Sequence, residues 1–189
     1  MTNSFHKSRR DFLKVSAAVG GGLALEVTFP ALAQDFANGK AARLAKGPEL
    51  TAWIVINPDD SVLIRVARSE MGQGSSTGLP MLVAEELECD WKKVRFEFVS
   101  TGEQIRRNRA WGSMATGGSR SIRDSQEYLR QAGAAAREML VAAAAQRWKV
   151  PASECDAESG VITHTPSRRK LRFGQVAQDA SKLEPPGDV

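Results

Sequence analysis

The stretch from Ser69 to Gly78 carries residue types that bind ligands through the main chain. Its sequence is SEMGQGSSTG, and it lies between an apolar run typical of a strand, over 61–66, and one typical of a helix, over 79–87. Glycine lets the main chain approach a ligand closely, and the unpaired N–H groups at a helix start favour anionic or carbonyl oxygens. This first turn is therefore either a ligand-binding turn or a plain loop with a helix cap.

Gln73 and its neighbours Gly72 and Gly74 are the candidate contact residues of the first turn. The Gln73 amide can donate and accept hydrogen bonds at the same time. Such a group suits the edge of a heterocycle better than a bare phosphate.

A second glycine-rich turn, with the sequence ATGGSRS, occupies residues 115–121. An alanine-rich stretch with helical periodicity follows it over 122–148 and is the most secure helix of the chain. Main-chain N–H groups, hydroxyls, a guanidinium and the positive end of a helix dipole would meet at this turn. This chemistry suits a phosphate or a diphosphate. The candidate contacts are Thr116, Gly117, Gly118, Ser119, Arg120 and Ser121. We also expect Ser119 or Ser121 to cap the helix.

Residues 1–33 have the layout of an export signal with a twin arginine. Arg9 and Arg10 stand in a polar, basic start, an apolar run follows over 15–25, and Ala31-Leu32-Ala33 offers a cleavage site. This arrangement predicts a periplasmic protein. As a class, twin-arginine substrates are exported already folded, often around a cofactor.

Charge and composition exclude several function classes. The chain carries +4, and removal of the predicted signal takes four basic and two acidic residues with it, which leaves +2. This charge is too small for a nucleic-acid binder. Cys89 and Cys155 are the only cysteines, and their spacing leaves open whether they form a disulfide. With His164 as the only histidine outside the signal, an ordinary zinc site lacks ligands.

The remaining pattern predicts an α+β fold, with a small mixed sheet and helices packed on it. Strands are expected near residues 50, 61, 94, 161 and 170, helices over 78–89 and 121–148, and a surface loop over 100–114 that folds over the site. The predicted organisation is a signal over 1–33, a linker over 34–48, one partial domain over 49–182 and a second linker over 183–189.

The order of these features resembles the molybdopterin-binding region of the molybdenum hydroxylases, the xanthine dehydrogenase and aldehyde oxidase family. The shared features are EMGQG at 70–74, a helix, WKKV at 91–94, a loop, and TGGSRS at 116–121 before a long helix. With the twin-arginine leader, the chain looks most like the N-terminal part of a β (large) subunit of the isoquinoline 1-oxidoreductase type. The resemblance covers residues 4 to about 189.

This resemblance implies a cofactor, a reaction and partners. Gln73 and Gly74 would lie against a molybdenum–molybdopterin cytosine dinucleotide, and residues 117–121 would hold its phosphate groups. The family oxidises aldehydes or hydroxylates N-heterocycles with water as the oxygen source. Electrons pass to an iron–sulfur (2Fe-2S) small subunit, and a c-type cytochrome is a further expected acceptor.

Two departures from the family pattern limit what the resemblance implies. Family members outside this subgroup have an Ala/Ser-rich stretch where this chain has Thr-Gly-Gly-Ser-Arg at 116–120, so Arg120 lacks an assured counterpart there. The glutamate that serves the family as base lies in a region that this chain does not contain. We therefore expect a fragment that is inactive alone. The alternative is a periplasmic anion-binding or assembly module without redox activity.

Overall fold

The computed structural model describes residues 47–187 and residue 189. The predicted signal over 1–33 and most of the predicted first linker lie outside the described residues. Within the described part, helices and strands both occur and the strands form two small sheets, which confirms the α+β class. No helix in residues 47–187 combines the length and apolar character needed to cross a bilayer.

The first sheet has four strands in chain order and carries the first turn. The strands are β1 (Glu49–Thr51), β2 (Ile54–Ile56), β3 (Val62–Val66) and β4 (Val94–Phe98). Neighbouring strands are antiparallel except for β3 and β4, which run parallel with Val62 opposite Val94. The apolar run 50–56 is a tight β1–β2 hairpin and not one strand, because the chain turns at Ala52 and Trp53, where Thr51 Oγ1 accepts from the Trp53 N–H at 3.3 Å.

The second sheet is antiparallel and contains β5 (Cys155–Glu158), β6 (Val161–His164) and β7 (Arg169–Arg172). The strands expected near 161 and 170 therefore pair with each other and with β5, and do not join the first sheet. Short turns connect β5 to β6 and β6 to β7, so each strand pairs with its neighbour in the chain. One predicted sheet is thus divided into two.

Five α-helices accompany the sheets within residues 47–187. They are α1 (Ser75–Leu87), α2 (Thr101–Arg106), α3 (Arg120–Arg123), α4 (Gln126–Trp148) and α5 (Phe173–Ala180). Helix α4 places an alanine-rich face against α1 and the core, because alanine and glycine let two helix backbones approach closely. At the crossing, a Cβ on Gly133 would lie 2.6 Å from the Val83 carbonyl oxygen. The core is apolar and includes Ile56, Ile64 and Leu140, each almost fully buried.

The turn between β2 and β3 contacts two segments that lie far apart in the sequence. Asp60 is buried in a left-handed conformation (φ 68°) and accepts from the Gly174 N–H at 3.0 Å and from Arg172 Nη1 at 3.0 Å. In the same turn, Asn57 Oδ1 accepts from the Gly47 N–H at 2.8 Å. A Cβ on Gly174 would lie 2.7 Å from the Asn57 carbonyl oxygen, so the start of α5 requires glycine there.

Candidate functional site

The first turn connects β3 to α1 and lies where the parallel strands β3 and β4 both end. In α/β sheets, ligands bind in the crevice outside the carboxyl ends of parallel strands. A cleft of about 270 Å³ opens at this edge. It is lined by residues from both strand ends, from the first turn and from the segment before the second turn: Val66, Ala67, Arg68, Ser69, Glu70, Phe98, Val99 and Met114.

The N–H groups of the first turn already have an acceptor, the Glu70 carboxylate. Glu70 Oε1 accepts from the N–H of Gly72 at 2.7 Å and of Gly74 at 3.0 Å, and Oε2 accepts from the Ser76 N–H at 2.8 Å. The Ser76 hydroxyl donates to Oε2 at 2.9 Å, while the Ser75 hydroxyl lies 3.3 Å from Oε2 and closer, at 3.0 Å, to the Ser69 carbonyl oxygen. The backbone hydrogen bonds from Ser76 and Gly74 lower the pKa of Glu70 to about 2.

Gln73 also makes its hydrogen bonds within the first turn. Its Nε2 donates to the Ser69 carbonyl oxygen at 2.7 Å and to Ser75 Oγ at 3.1 Å. Its Oε1 accepts from the Met71 N–H at 2.5 Å. The turn therefore holds the Gln73 amide in a defined place next to Gly72 and Gly74, while its contact with a cofactor stays a prediction.

Buried Arg68 and exposed Ser69 bring the two glycine-rich turns together. The Ser69 N–H donates to Thr116 Oγ1 at 2.9 Å. Arg68 donates from Nη1 to the Ala115 carbonyl oxygen and from Nε to Ser125 Oγ at 3.2 Å. The two turns, far apart in the sequence, thus form one continuous candidate site. Sequence reasoning missed Arg68, although an arginine at the end of an apolar strand was a signal for a buried polar contact.

The second turn keeps donors available for a ligand. Among the described residues, no group accepts from the N–H of Gly117, Gly118 or Ser119. Gly118 and Ser119 both have left-handed backbones (φ 58° and 56°), and a Cβ on Gly117 would meet no atom within 4 Å. Successive N–H groups in such a turn make a concave anion-binding surface. Arg120 is exposed, and its Nε lies 4.0 Å from Asp124 Oδ2.

The long helix does not begin at the second turn, so its dipole does not act there as predicted. Four-residue α3 follows the turn, and α4 begins only at Gln126. The break occurs at Ser125, because its fully buried hydroxyl is held by Arg68 Nε and by the Tyr128 hydroxyl, which donates to it at 2.6 Å. Ser119 occupies the N-cap position of α3 without a side-chain capping bond, while Ser121 is buried within α3.

Residues 100–114 contain the short helix α2 and the buried side chain of Trp111, and do not form one irregular loop. Trp111 is almost fully buried with the Arg107 guanidinium 5.0 Å from its ring centroid, and its Nε1 donates to the Ala52 carbonyl oxygen at 2.8 Å. Arg107 and Arg65 both pair with Glu49. Burial raises the pKa of Glu49, but the hydrogen bonds from Arg107 and Arg65 outweigh this and lower it. The segment is thus fixed on the first sheet and ends at the cleft with Met114.

The remaining candidate groups have structural partners. Cys89 and Cys155 are free thiols, so the pairing that the sequence left open is absent from the structure. His164 is buried, with Nε2 2.8 Å from Glu154 Oε2 and Nδ1 2.6 Å from Ser167 Oγ. Within the described ranges, no group of three or more His, Cys, Asp or Glu residues is placed to hold a metal ion.

Known proteins share both the sequence pattern and the fold. The β subunit of isoquinoline 1-oxidoreductase from Brevundimonas diminuta is 37% identical over 170 residues, which are 89% of this chain and 21% of that protein. The membrane-bound aldehyde dehydrogenase (pyrroloquinoline-quinone) of Gluconacetobacter polyoxogenes is 33% identical over the same shares of the two chains. The chain therefore spans about a fifth of the length of the curated relatives it matches.

A crystal structure of the Cu,Mo-CO dehydrogenase in its carbon monoxide reduced state has a similar fold. The TM-score is 0.55 at 18% identity, over 92% of this chain and 24% of that chain. The family model described as the molybdopterin cofactor-binding domain matches residues 6–188. These matches confirm the resemblance to molybdenum hydroxylase large subunits, and the chain belongs to the molybdopterin cofactor-binding domain family.

Proposed function

We propose that this chain forms part of the site for a molybdenum–molybdopterin cytosine dinucleotide in the large subunit of an oxidoreductase. The observation that carries the proposal is the joined pair of glycine-rich turns in a chain of the molybdopterin cofactor-binding domain family. The second turn would receive the anionic part of the cofactor, and the cleft beside the first turn would receive its neutral part.

The residues of the second turn fit an anionic group. The N–H groups of Gly117, Gly118 and Ser119 have no acceptor among the described residues, and a Cβ at position 117 would meet open space. Arg120 is exposed and would neutralise one negative charge. The Thr116 hydroxyl accepts from Ser69 and keeps its own proton to donate. Buried Ser121 would stabilise the turn from within.

We further propose the reaction class and the partners of the whole protein. The cofactor, when bound, supplies the redox centre for oxidation of an aldehyde or hydroxylation of an N-heterocycle with water as the oxygen source. The names of the two relatives support these substrate classes. A 2Fe-2S small subunit and then a c-type cytochrome would accept the electrons. The twin arginine at Arg9 and Arg10 supports export of the folded protein to the periplasm.

The chain alone is proposed to be inactive. A general base must reach the proton it removes and must accept it at working pH. Glu70 is the carboxylate of the cleft, and its four hydrogen bonds from Gly72, Gly74 and Ser76, together with its lowered pKa, make it a poor base. The chain would therefore contribute cofactor binding, with the base supplied by another part of the subunit.

Cofactor content tests the proposal without an activity assay. The native complex is purified through a tag on this chain, and molybdenum and oxidised pterin nucleotide are quantified by mass spectrometry and fluorescence. We expect near-stoichiometric amounts of both. The Gly117→Leu variant should lose most of both, since a Cβ at this position meets no atom within 4 Å and the side chain would occupy the space beside the open N–H groups.

The matched control is Gly102→Leu, because a Cβ there would also meet only ordinary contacts, in α2 and away from the second turn. This variant should keep its molybdenum and pterin. A complete complex without molybdenum would overturn the proposal and favour the anion-binding or assembly module. If the two variants contained equal amounts of molybdenum, residues 116–121 would not be part of the cofactor site.

A further inference from the structure

The Glu70 carboxylate lies at the focus of the first turn. Three main-chain N–H groups and the Ser76 hydroxyl converge on its two oxygens within 2.7–3.0 Å. Gly72 and Gly74 adopt left-handed conformations (φ 91° and 79°) that point their N–H groups inward at Oε1. This is the geometry with which a protein turn normally surrounds a bound anion.

We propose that Glu70 is a positioning residue whose carboxylate is the built-in anion of the first turn. It holds Gly72 and Gly74 in their left-handed conformations and closes the turn to external phosphates and carboxylates. The turn in this state places Gln73 against Ser69 and Ser75. A further consequence, which rests on the proposed function, is that the anionic groups of the cofactor bind only at the second turn.

The charge of Glu70 is stabilised by donors and not by a basic side chain. Within residues 47–187, no lysine or arginine forms an ion pair with this carboxylate. The Glu70 carboxylate oxygens lie at the start of the 13-residue helix α1, whose first N–H groups favour negative charge. The lowered pKa of Glu70 agrees with this arrangement and keeps the carboxylate charged at neutral pH.

The experiment measures main-chain amide resonances in the full chain of 189 residues, with sodium formate as the probe. In the unchanged chain, the amide protons of Gly72, Gly74 and Ser76 should be shifted downfield and should not respond to formate. In Glu70→Ala, these three protons should move upfield and then move back in a saturable way as formate is added, because formate replaces the missing carboxylate. Formamide, which is neutral, should have no such effect.

Glu70→Gln separates positioning from a loss of folding. Glutamine keeps one acceptor oxygen and the side-chain length, so one of the two groups of donors should keep its shifts and the other should lose them. The two groups are the Gly72 and Gly74 amides on one oxygen and the Ser76 amide on the other. Glu85→Ala is the control, since its exposed carboxylate on α1 contacts only Arg130 among the described residues, and it should leave all three amides unchanged.

Two results would overturn the proposal. One is a formate response of the Gly72, Gly74 and Ser76 amides in the unchanged chain, which would mean that the turn is open to external anions. The other is a Glu70→Gln variant in which all three amides keep their shifts. Both measurements use the chain without cofactor. The proposed function is tested separately, by the molybdenum content of the complex, so either proposal can fail without the other.

Discussion

The Ser69 N–H donates to Thr116 Oγ1 at 2.9 Å, and this bond joins the two glycine-rich turns. Thr116→Val removes the acceptor and keeps the shape of the side chain. We expect a loss of about 1 kcal/mol in the free energy of unfolding, as for one hydrogen bond. Amide hydrogen exchange at Ser69 should become faster, which nuclear magnetic resonance would measure. Cofactor content in the complex should fall as well, because the turns lose their relative position.

Thr77→Val provides the control for this substitution. Thr77 is exposed on α1, where valine and threonine have similar helix propensities. Its replacement should change neither the free energy of unfolding nor the rate of amide hydrogen exchange at Ser69 beyond experimental error. Unchanged Ser69 exchange in Thr116→Val would contradict a direct link between the turns.

The low pKa of Glu70 predicts a specific loss of stability in acid. Backbone hydrogen bonds lower this pKa from 4.5 to about 2 in the folded chain. A depressed pKa contributes stability that is fully present above the unfolded value and is lost as pH falls towards the folded value. The stability difference between the chain and Glu70→Gln should therefore be constant above about pH 5 and shrink between about pH 4.5 and 2. Urea unfolding at a series of pH values measures it. The pKa of Glu49 is also lowered by its hydrogen bonds with Arg107 and Arg65, but Glu49 is present in both proteins, so its contribution cancels. A constant difference down to pH 2.5 would contradict the prediction.

Gly133→Ala should destabilise the chain although alanine is the better helix former. In an exposed helix the change would stabilise by up to about 1 kcal/mol. Here the new Cβ would lie 2.6 Å from the Val83 carbonyl oxygen and 3.0 Å from Glu86 Cβ, so α1 and α4 would have to move apart. We expect a net loss of about 1–3 kcal/mol, as for an overpacked core. Denaturant unfolding measures it.

Gly78→Ala is the matched control, because its Cβ would meet only the flexible end of the Ile122 side chain, at 3.2 Å. It should be neutral or slightly stabilising. A Gly133→Ala variant as stable as Gly78→Ala would show that the helices do not cross as closely as described.

Cys89 should react slowly with iodoacetamide while the chain is folded. Burial, followed by the charges of Asp90 and Glu88, raises the pKa of its thiol to about 12. The reactive thiolate is therefore scarce at pH 8, and alkylation should be about 100-fold slower than in urea. Mass spectrometry of digested peptides measures both rates. Rapid labelling of the folded chain, or a peptide pair linked by Cys89 and Cys155, would contradict the free, shielded thiol.

The elements with strong local patterns were predictable from the sequence. The apolar stripe of α4, the β6–β7 hairpin and the two turns all appear where the periodicity and turn residues indicate them. The partition of the strands into two sheets was not predictable, because strand pairing depends on contacts between distant residues. The true start of α4 was missed for the same reason, since Ser125 ends the first helical turns through a bond to Arg68, 57 residues away.

In the candidate site, the sequence predicted which residue types are present. It did not predict which of their hydrogen-bond donors are available to a ligand. The glycines, Gln73 and the hydroxyls of 116–121 indicated main-chain and side-chain donors. The sequence alone did not show that Glu70 accepts the hydrogen bonds of the first turn. The N–H groups reach its carboxylate only when Gly72 and Gly74 both adopt left-handed conformations, and the sequence does not fix these conformations. Trp111 also looked like part of a loop, because its contacts with Arg65 and with the Ala52 carbonyl oxygen involve residues far away in the sequence.

The turn around Asn57 and Asp60 connects two segments that are distant in the sequence. Gly47, before β1, and Gly174, in α5, both contact this turn. Contacts between residues so far apart form only after a long loop has closed, and the entropy of closing that loop opposes them. The first sheet and the start of α5 are therefore held together by bonds that depend on the whole described fold.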